Sequence, residues 1–251
     1  MCKKELIPEI FNYCDRWCER CPFSNRCEIF DPADQEKDWS EVDADEFIKE
    51  IKATFEKTMD LLKNEADANG MNWNQLVADA NDVELKEPVL PKDHEEVITI
   101  AGNYRGQVTK WLMEHSNDIK ATAVTMVQKI ELGIEHAQEN NTQFVDAIEN
   151  INWYHTLIEA KLRRAISGLN SDLEEEQGDS TQSHANGCAK ITMLFINKSI
   201  HAWQQIGKEM SAQEDHLLDH LALLSRIRDK VQKIFPAHEA FIRPGFDTFT
   251  F

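Results

Sequence analysis

Apolar residues recur at intervals of three and four along most of the chain, the period of an amphipathic helix. From about Asp45 to Ala66 they are Ile48, Ile51, Phe55, Met59, Leu62 and Ala66, and Asn69-Gly70 stops the run. A shorter helix around Trp73–Ala80 gives way to VELKEPVLPKD, whose two prolines mark a loop. A long helix is predicted over roughly His94–His115, with Val97, Ala101, Tyr104, Val108, Trp111 and Leu112 on one stripe. Another is predicted over about Asp118–Gln138, carrying Ala123, Val127, Ile130, Ile134 and Ala137. The clearest stripe follows, because Phe144, Ile148, Ile151, His155, Ile158, Leu162, Ala165 and Leu169 alternate steps of four and three.

The segment EEEQGDSTQSHANG (174–187), acidic and then rich in small polar residues, reads as an exposed loop. Residues 189–208 are apolar on more than one side, as expected of a central helix. The last helix, about Ala212–Phe235, groups Leu217, Leu221, Leu224 and Val231, and the tail FPAHEAFIRPGFDTFTF is aromatic enough to be expected to dock on the bundle. No period-two run and no internal repeat is evident. The pattern predicts an all-α fold, a bundle of five or six helices, with a small N-terminal cysteine-rich module at 1–31 that ends at the Asp31-Pro32 turn. The helical bundle domain is expected over 40–251, its aromatic C-terminal tail included.

Composition narrows the function classes. The 251 residues are enough for a real core. Lys and Arg number 27 against 45 Asp and Glu, a net charge of −18 that argues against nucleic-acid and anionic-membrane partners and leaves a protein partner as the expectation. The stretch MCKKELIPEI has no apolar run of signal-peptide length, so a cytoplasmic location is expected, and there six cysteines favour thiols or metal ligands over structural disulfides.

Four of those cysteines fall within fourteen residues. Cys14, Cys18, Cys21 and Cys27 in YCDRWCERCPFSNRC form a C-x3-C-x2-C-x5-C pattern. Thiolates so close repel one another unless a cation or cluster neutralises them, which points to a four-cysteine zinc or iron–sulfur site. Separated zinc knuckles favour the one, compact runs with Cys-Pro the other, and the choice of ion stays open. Two further readings stand beside the metal. Ile7, Phe11, Cys14, Cys18 and Cys21 also step by four and three, so the thiols fit the apolar face of a helix ended by Pro22, and a disulfide or redox switch is the third. Cys2 is expected as an exposed thiol and Cys188 as a core residue.

Local likenesses follow from these residues. CERCPFSNRC (18–27) resembles the three-cysteine end of iron–sulfur nucleases, whose carboxylate-lysine motif has only Glu84-Leu85-Lys86 as a counterpart here. C-x3-C-x2-C matches the spacing of radical-SAM enzymes, but no barrel pattern follows it. WYHTLIEAKLRRAISG (153–168), AKITMLFINKSIHAW (189–203) and FPAHEAFIRPGFD (235–247) resemble a bacterial family of helical proteins with no assigned activity, which implies a compact helical body and no chemistry. Where that resemblance implies an Asp-Arg pair this chain has Asn197-Lys198, so such an ion pair does not carry over.

Histidines supply the remaining candidates. His216 and His220 lie at i and i+4, a metal-gripping spacing with Glu214 and Asp219 nearby, and His201 or His155 are possible third ligands; the alternative is a polar helix flank. His155, with Glu159 one turn later, fits a hydrogen-bonded core histidine whose carboxylate neighbour orients it or raises its pKa. Glu131, Glu135 and Glu139 read as a solvated row rather than half of a ferritin-like centre. Trp153 lies nearly opposite its helix's stripe and marks either helix packing or a partner surface. The sequence thus describes an acidic, cytoplasmic, non-catalytic interaction protein with a four-cysteine metal site. An iron–sulfur redox or sensor protein and a metal-dependent bundle enzyme are the alternatives.

Overall fold

The structure is a computed structural model, and it describes residues 5–30, 43–82, 90–172 and 180–247. Cys2, the Asp31-Pro32 boundary, Glu84-Leu85-Lys86 and the last residues of the tail lie outside the described residues. Seven α-helices and no strand occur among the described residues: α1 Ala44–Ala68, α2 Trp73–Asp82, α3 Lys92–Glu114, α4 Ser116–Glu131, α5 Ala137–Asp172, α6 His184–Glu209 and α7 Glu214–Ile234. The fold is all-α as expected, with seven helices against the five or six of the expected bundle. No helix among the described residues is long and apolar enough to cross a membrane.

Two compact units emerge, one from Met1–Ile29 with Leu90–Phe251 and the other from Phe30–Val89. The sequence sets the cysteine segment apart from everything after residue 40; in the structure it groups with the helices from α3 onward.

The larger unit is built on α5 and α6. The α5 stripe is fully buried at Ile151, Ile158, Leu162 and Ala165, and it meets α6 residues Cys188, Ala189, Phe195 and Ile196 in one continuous core. Cys188 is a core residue, as expected. Tyr104 and Val108 of α3 and Leu224 and Val231 of α7 complete that core, and Phe235 and Phe241 bring the tail onto it. Lys190 fastens the tail further, donating to the Phe241 carbonyl at 2.5 Å and to Asp247 at 2.7 Å.

Three expectations are corrected. The helix expected over 118–138 ends at Glu131, because Gly133 takes the left-handed backbone (φ 68°) and Ile134 N–H closes back onto the Lys129 carbonyl in a C-terminal turn. Ile134 is exposed beyond the helix end, and within α4 Met126 is buried while Val127 is exposed. The exposed loop expected through residue 187 gives way earlier to α6, whose Ser183 hydroxyl caps the helix by accepting from Asn186 N–H at 3.2 Å. His220 belongs to the core face of α7, which steps Leu217, His220, Leu224, Ile227, Val231, while His216 is exposed.

The smaller unit behaves differently. Its α1 carries the expected amphipathic stripe, yet Ile48, Ile51, Phe55 and Leu62 are all exposed, Phe55 at 66%, and among the stripe residues whose burial is described only Ala66 is buried. Within this unit the stripe is exposed rather than buried.

His220 generates a stability prediction. Its ring lies 4.6 Å from Trp203 and edge-on to Tyr104, and neither ring nitrogen has a hydrogen-bond partner among the described residues. Burial, reinforced by His216 and opposed by Asp219, lowers its pKa to about 4. The unfolded chain, with an ordinary histidine, therefore binds more protons between about pH 6.5 and 4, and stability falls as pH drops through that window. His220→Phe removes the unpaired polar atoms. It should raise unfolding free energy at pH 7 by about 1–3 kcal/mol and flatten the loss between pH 6.5 and 4, as read by urea denaturation at stepped pH.

Candidate functional site

Residues 5–30 contain no α-helix. Their backbone makes three single 3-10 turns, Ile10–Asn12, Cys18–Arg20 and Ser24–Arg26. The helix that the apolar spacing allows from Ile7 to Cys21 is broken twice, where Glu9 (φ 58°) and Arg16 (φ 59°) adopt the left-handed region. The helical-stripe account of the cysteines is therefore not what the segment adopts. Instead Ile7, Ile10 and Phe23 form a small core of their own, with Cys21, Cys27 and Phe246 against it. Gly245, at φ 77°, lets the tail turn close by, and a Cβ there would meet Ile10 at 2.9 Å.

The turns fix where the thiols sit. Cys18 opens the second turn and accepts from Cys21 N–H at 3.2 Å; Cys27 closes the third, donating its N–H to the Ser24 carbonyl at 3.2 Å. All four cysteines are half-buried free thiols. Burial pushes the Cys14, Cys18 and Cys21 thiols up, and Cys18 is raised further by Cys14, Cys21 and Cys27, so all three other cysteines lie within electrostatic reach of it. Among the described residues no set of three or more His, Cys, Asp or Glu side chains is gathered tightly enough to hold a metal ion as it stands.

The segment is clamped onto α5 and α6 by contacts far apart in sequence. Trp153 donates to the Asp15 carbonyl at 2.9 Å and stacks on Trp17 at 5.0 Å, so the residue opposite the α5 stripe faces the cysteine turns. Tyr154 donates its hydroxyl to the Asp15 carboxylate at 2.9 Å and accepts from Lys198 at 2.8 Å. Burial and then the neighbouring Asp15 charge hold the Tyr154 phenol protonated far above its ordinary range. Lys161, buried on α5, donates to the Asn12 carbonyl at 2.9 Å, and burial lowers its pKa. Arg20 pairs with Glu149 and Asp146 and lies over the Trp17 ring. Tyr13 is buried between Phe241 and His184, its hydroxyl 3.1 Å from His184 Nδ1.

No family model, curated protein or solved structure matches this chain.

The histidines do not assemble. His155 is buried and bonded through Nδ1 to the Ile151 carbonyl at 3.0 Å, a satisfied core histidine whose pKa burial lowers rather than a carboxylate raising it. Glu159 is engaged elsewhere, pairing with Arg105 at 3.0 Å and Arg163 at 2.8 Å. His201 is exposed beside Gln205, and His216 faces His115 with ring centres 5.9 Å apart. Glu131, Glu135 and Glu139 are exposed, but with α4 ending at Glu131 and α5 starting at Ala137 they do not form a row on one helix. Sequence reasoning missed Asp15, Tyr154 and Lys198. Only the off-stripe position of Trp153 signalled that α5 receives a second surface there.

One glycine tests the clamp. A Cβ on Gly187 would meet Phe241 at 2.7 Å and Tyr13 closer still, so the space is needed by two ordered rings. Gly187→Ala should destabilise the protein by about 1–3 kcal/mol and expose the cysteines, seen as a lowered Tm and faster labelling by maleimide under native conditions. Tyr154→Phe should cost about 1–3 kcal/mol through the lost bond to the Asp15 carboxylate, measured by the same denaturation.

Proposed function

We propose that this is an acidic, cytoplasmic, non-catalytic interaction protein in which Cys14, Cys18, Cys21 and Cys27 bind a zinc ion or an iron–sulfur cluster that stabilises the N-terminal segment. What supports the reading is that one short segment carries four half-buried thiols, Cys14, Cys18, Cys21 and Cys27, with Cys21 and Cys27 against the same small core. Burial and mutual repulsion both disfavour free thiolates in that arrangement, and a metal removes both penalties at once. A segment with a core of only Ile7, Ile10 and Phe23 also gains most from a crosslink. With all four positions filled by protein sulfur the centre keeps no open site for substrate, which supports a structural or sensing role over catalysis.

The exposed stripe of α1 supports the interaction part. Ile48, Ile51, Phe55 and Leu62 recur on one face as in helices that lie in a hydrophobic groove of a partner protein.

Anaerobic purification tests the centre. The expected result is one zinc or one cluster per chain by elemental analysis for zinc, iron and acid-labile sulfide, with iron and sulfide plus absorbance near 350–450 nm assigning the site to electron transfer or sensing. Cys21→Ser should release the metal and make residues 5–30 readily cleaved by protease. Metal-free wild-type protein, or a Cys21→Ser variant with unchanged metal content, overturns the reading.

A further inference from the structure

Between the cysteine turns, α5, α6 and the tail lies a cavity of about 340 Å³. Its walls are mainly aromatic and aliphatic, with Tyr154 and Phe195 stacked 4.8 Å apart on one side and Phe246 on another. Arg20, Lys198 and Arg243 all line it against the single carboxylate of Asp15. The carboxylates that pair with Arg20 and Arg243, namely Asp146, Glu149 and Asp247, do not line it, so the wall itself carries more cationic than anionic side chains. Each cation is held by a partner: Arg20 by Glu149, Lys198 by Tyr154, and Arg243 by a bidentate bond to Asp247 with contacts of 2.8 and 3.1 Å. Burial alone would raise the Asp247 carboxyl, but bonds from Arg243 and Lys190 outweigh it and hold the group below the usual carboxylate range, so the Arg243 fork stays fixed. The cationic rim is thus preorganised rather than free to swing.

We infer that this cavity binds a small aromatic anion, a bicyclic ring carrying a carboxylate or sulfonate. Size sets the body: an apolar cavity of about 150 Å³ accepts benzene, so one of about 340 Å³ has room for two fused rings and a head group. Charge sets the head. A carboxylate placed between Lys198 and Arg243 gains charge-assisted bonds beside an apolar wall, where they are stronger than in water. Asn150, also lining the cavity, offers an amide to orient it. The cavity shares Cys14 and Cys21 with the proposed metal centre, but its recognition groups are not metal ligands, and the inference does not rest on that centre.

Isothermal titration of the full chain with 2-naphthoate and with its uncharged isostere 2-naphthamide tests this. The expected result is saturable 1:1 binding of naphthoate, about tenfold tighter than naphthamide. Lys198→Gln, a half-exposed position where an amide can still donate to Tyr154, should erase most of that difference while leaving naphthamide unchanged. Leu194→Phe, which fills the cavity from α6, should weaken both ligands. Absence of saturable binding, equal affinity for the two ligands, or an undiminished preference in Lys198→Gln overturns the inference.

Discussion

A helix of 36 residues spans about 54 Å, and α5 is held at that length by what lies against its sides rather than by its own hydrogen bonds. Its apolar stripe is closed by α6 without a buried polar interruption except His155, which turns back to its own helix at Ile151. Each large residue of that stripe contributes on the order of 2 kcal/mol by leaving water. The remaining parts of the larger unit join this pair: α3 through Tyr104 and Trp111 against Trp203 of α6, α7 through His220 against Trp203, the tail through Lys190, and the cysteine turns through Trp153 and Tyr154.

The two faces of α5 carry different chemistry. Toward α6 the packing is apolar and depends on shape. Toward the cysteine turns it is a chain of polar links, Lys198 to Tyr154 to Asp15, framed by a tryptophan stack. Hydrogen bonds of that kind contribute about 1 kcal/mol each but fix orientation closely. The segment that lacks regular structure is thereby given one position on the helix pair, which is what both the thiol geometry and the adjoining cavity require.

Much of the helical frame was legible because three-four periodicity reports directly on burial, as the α5 stripe from Phe144 to Leu169 illustrates. Periodicity failed where one residue's backbone overrode it. Glu9 and Arg16 adopt left-handed φ and dissolve the helix that Ile7 to Cys21 allows, and Gly133 cuts α4 from the turn that carries Ile134. It also says nothing about whether an amphipathic face is covered, so α1 reads the same buried or bare. The spacing of Cys14, Cys18, Cys21 and Cys27 singled out the segment, while Asp15 and Lys198 were invisible because 183 residues separate partners whose meeting no local pattern encodes.

That separation also orders events in time. The cysteine turns leave the ribosome long before Tyr154 and Lys198, and at ordinary synthesis rates the wait is on the order of ten to thirty seconds. Contacts of such long range form late because loop closure must precede any gain from them. During that interval Asp15 and Trp17 lack the α5 partners they later dock on. The cysteine turns therefore take their final place only once the helix pair has formed and offers Trp153 and Tyr154 to Asp15.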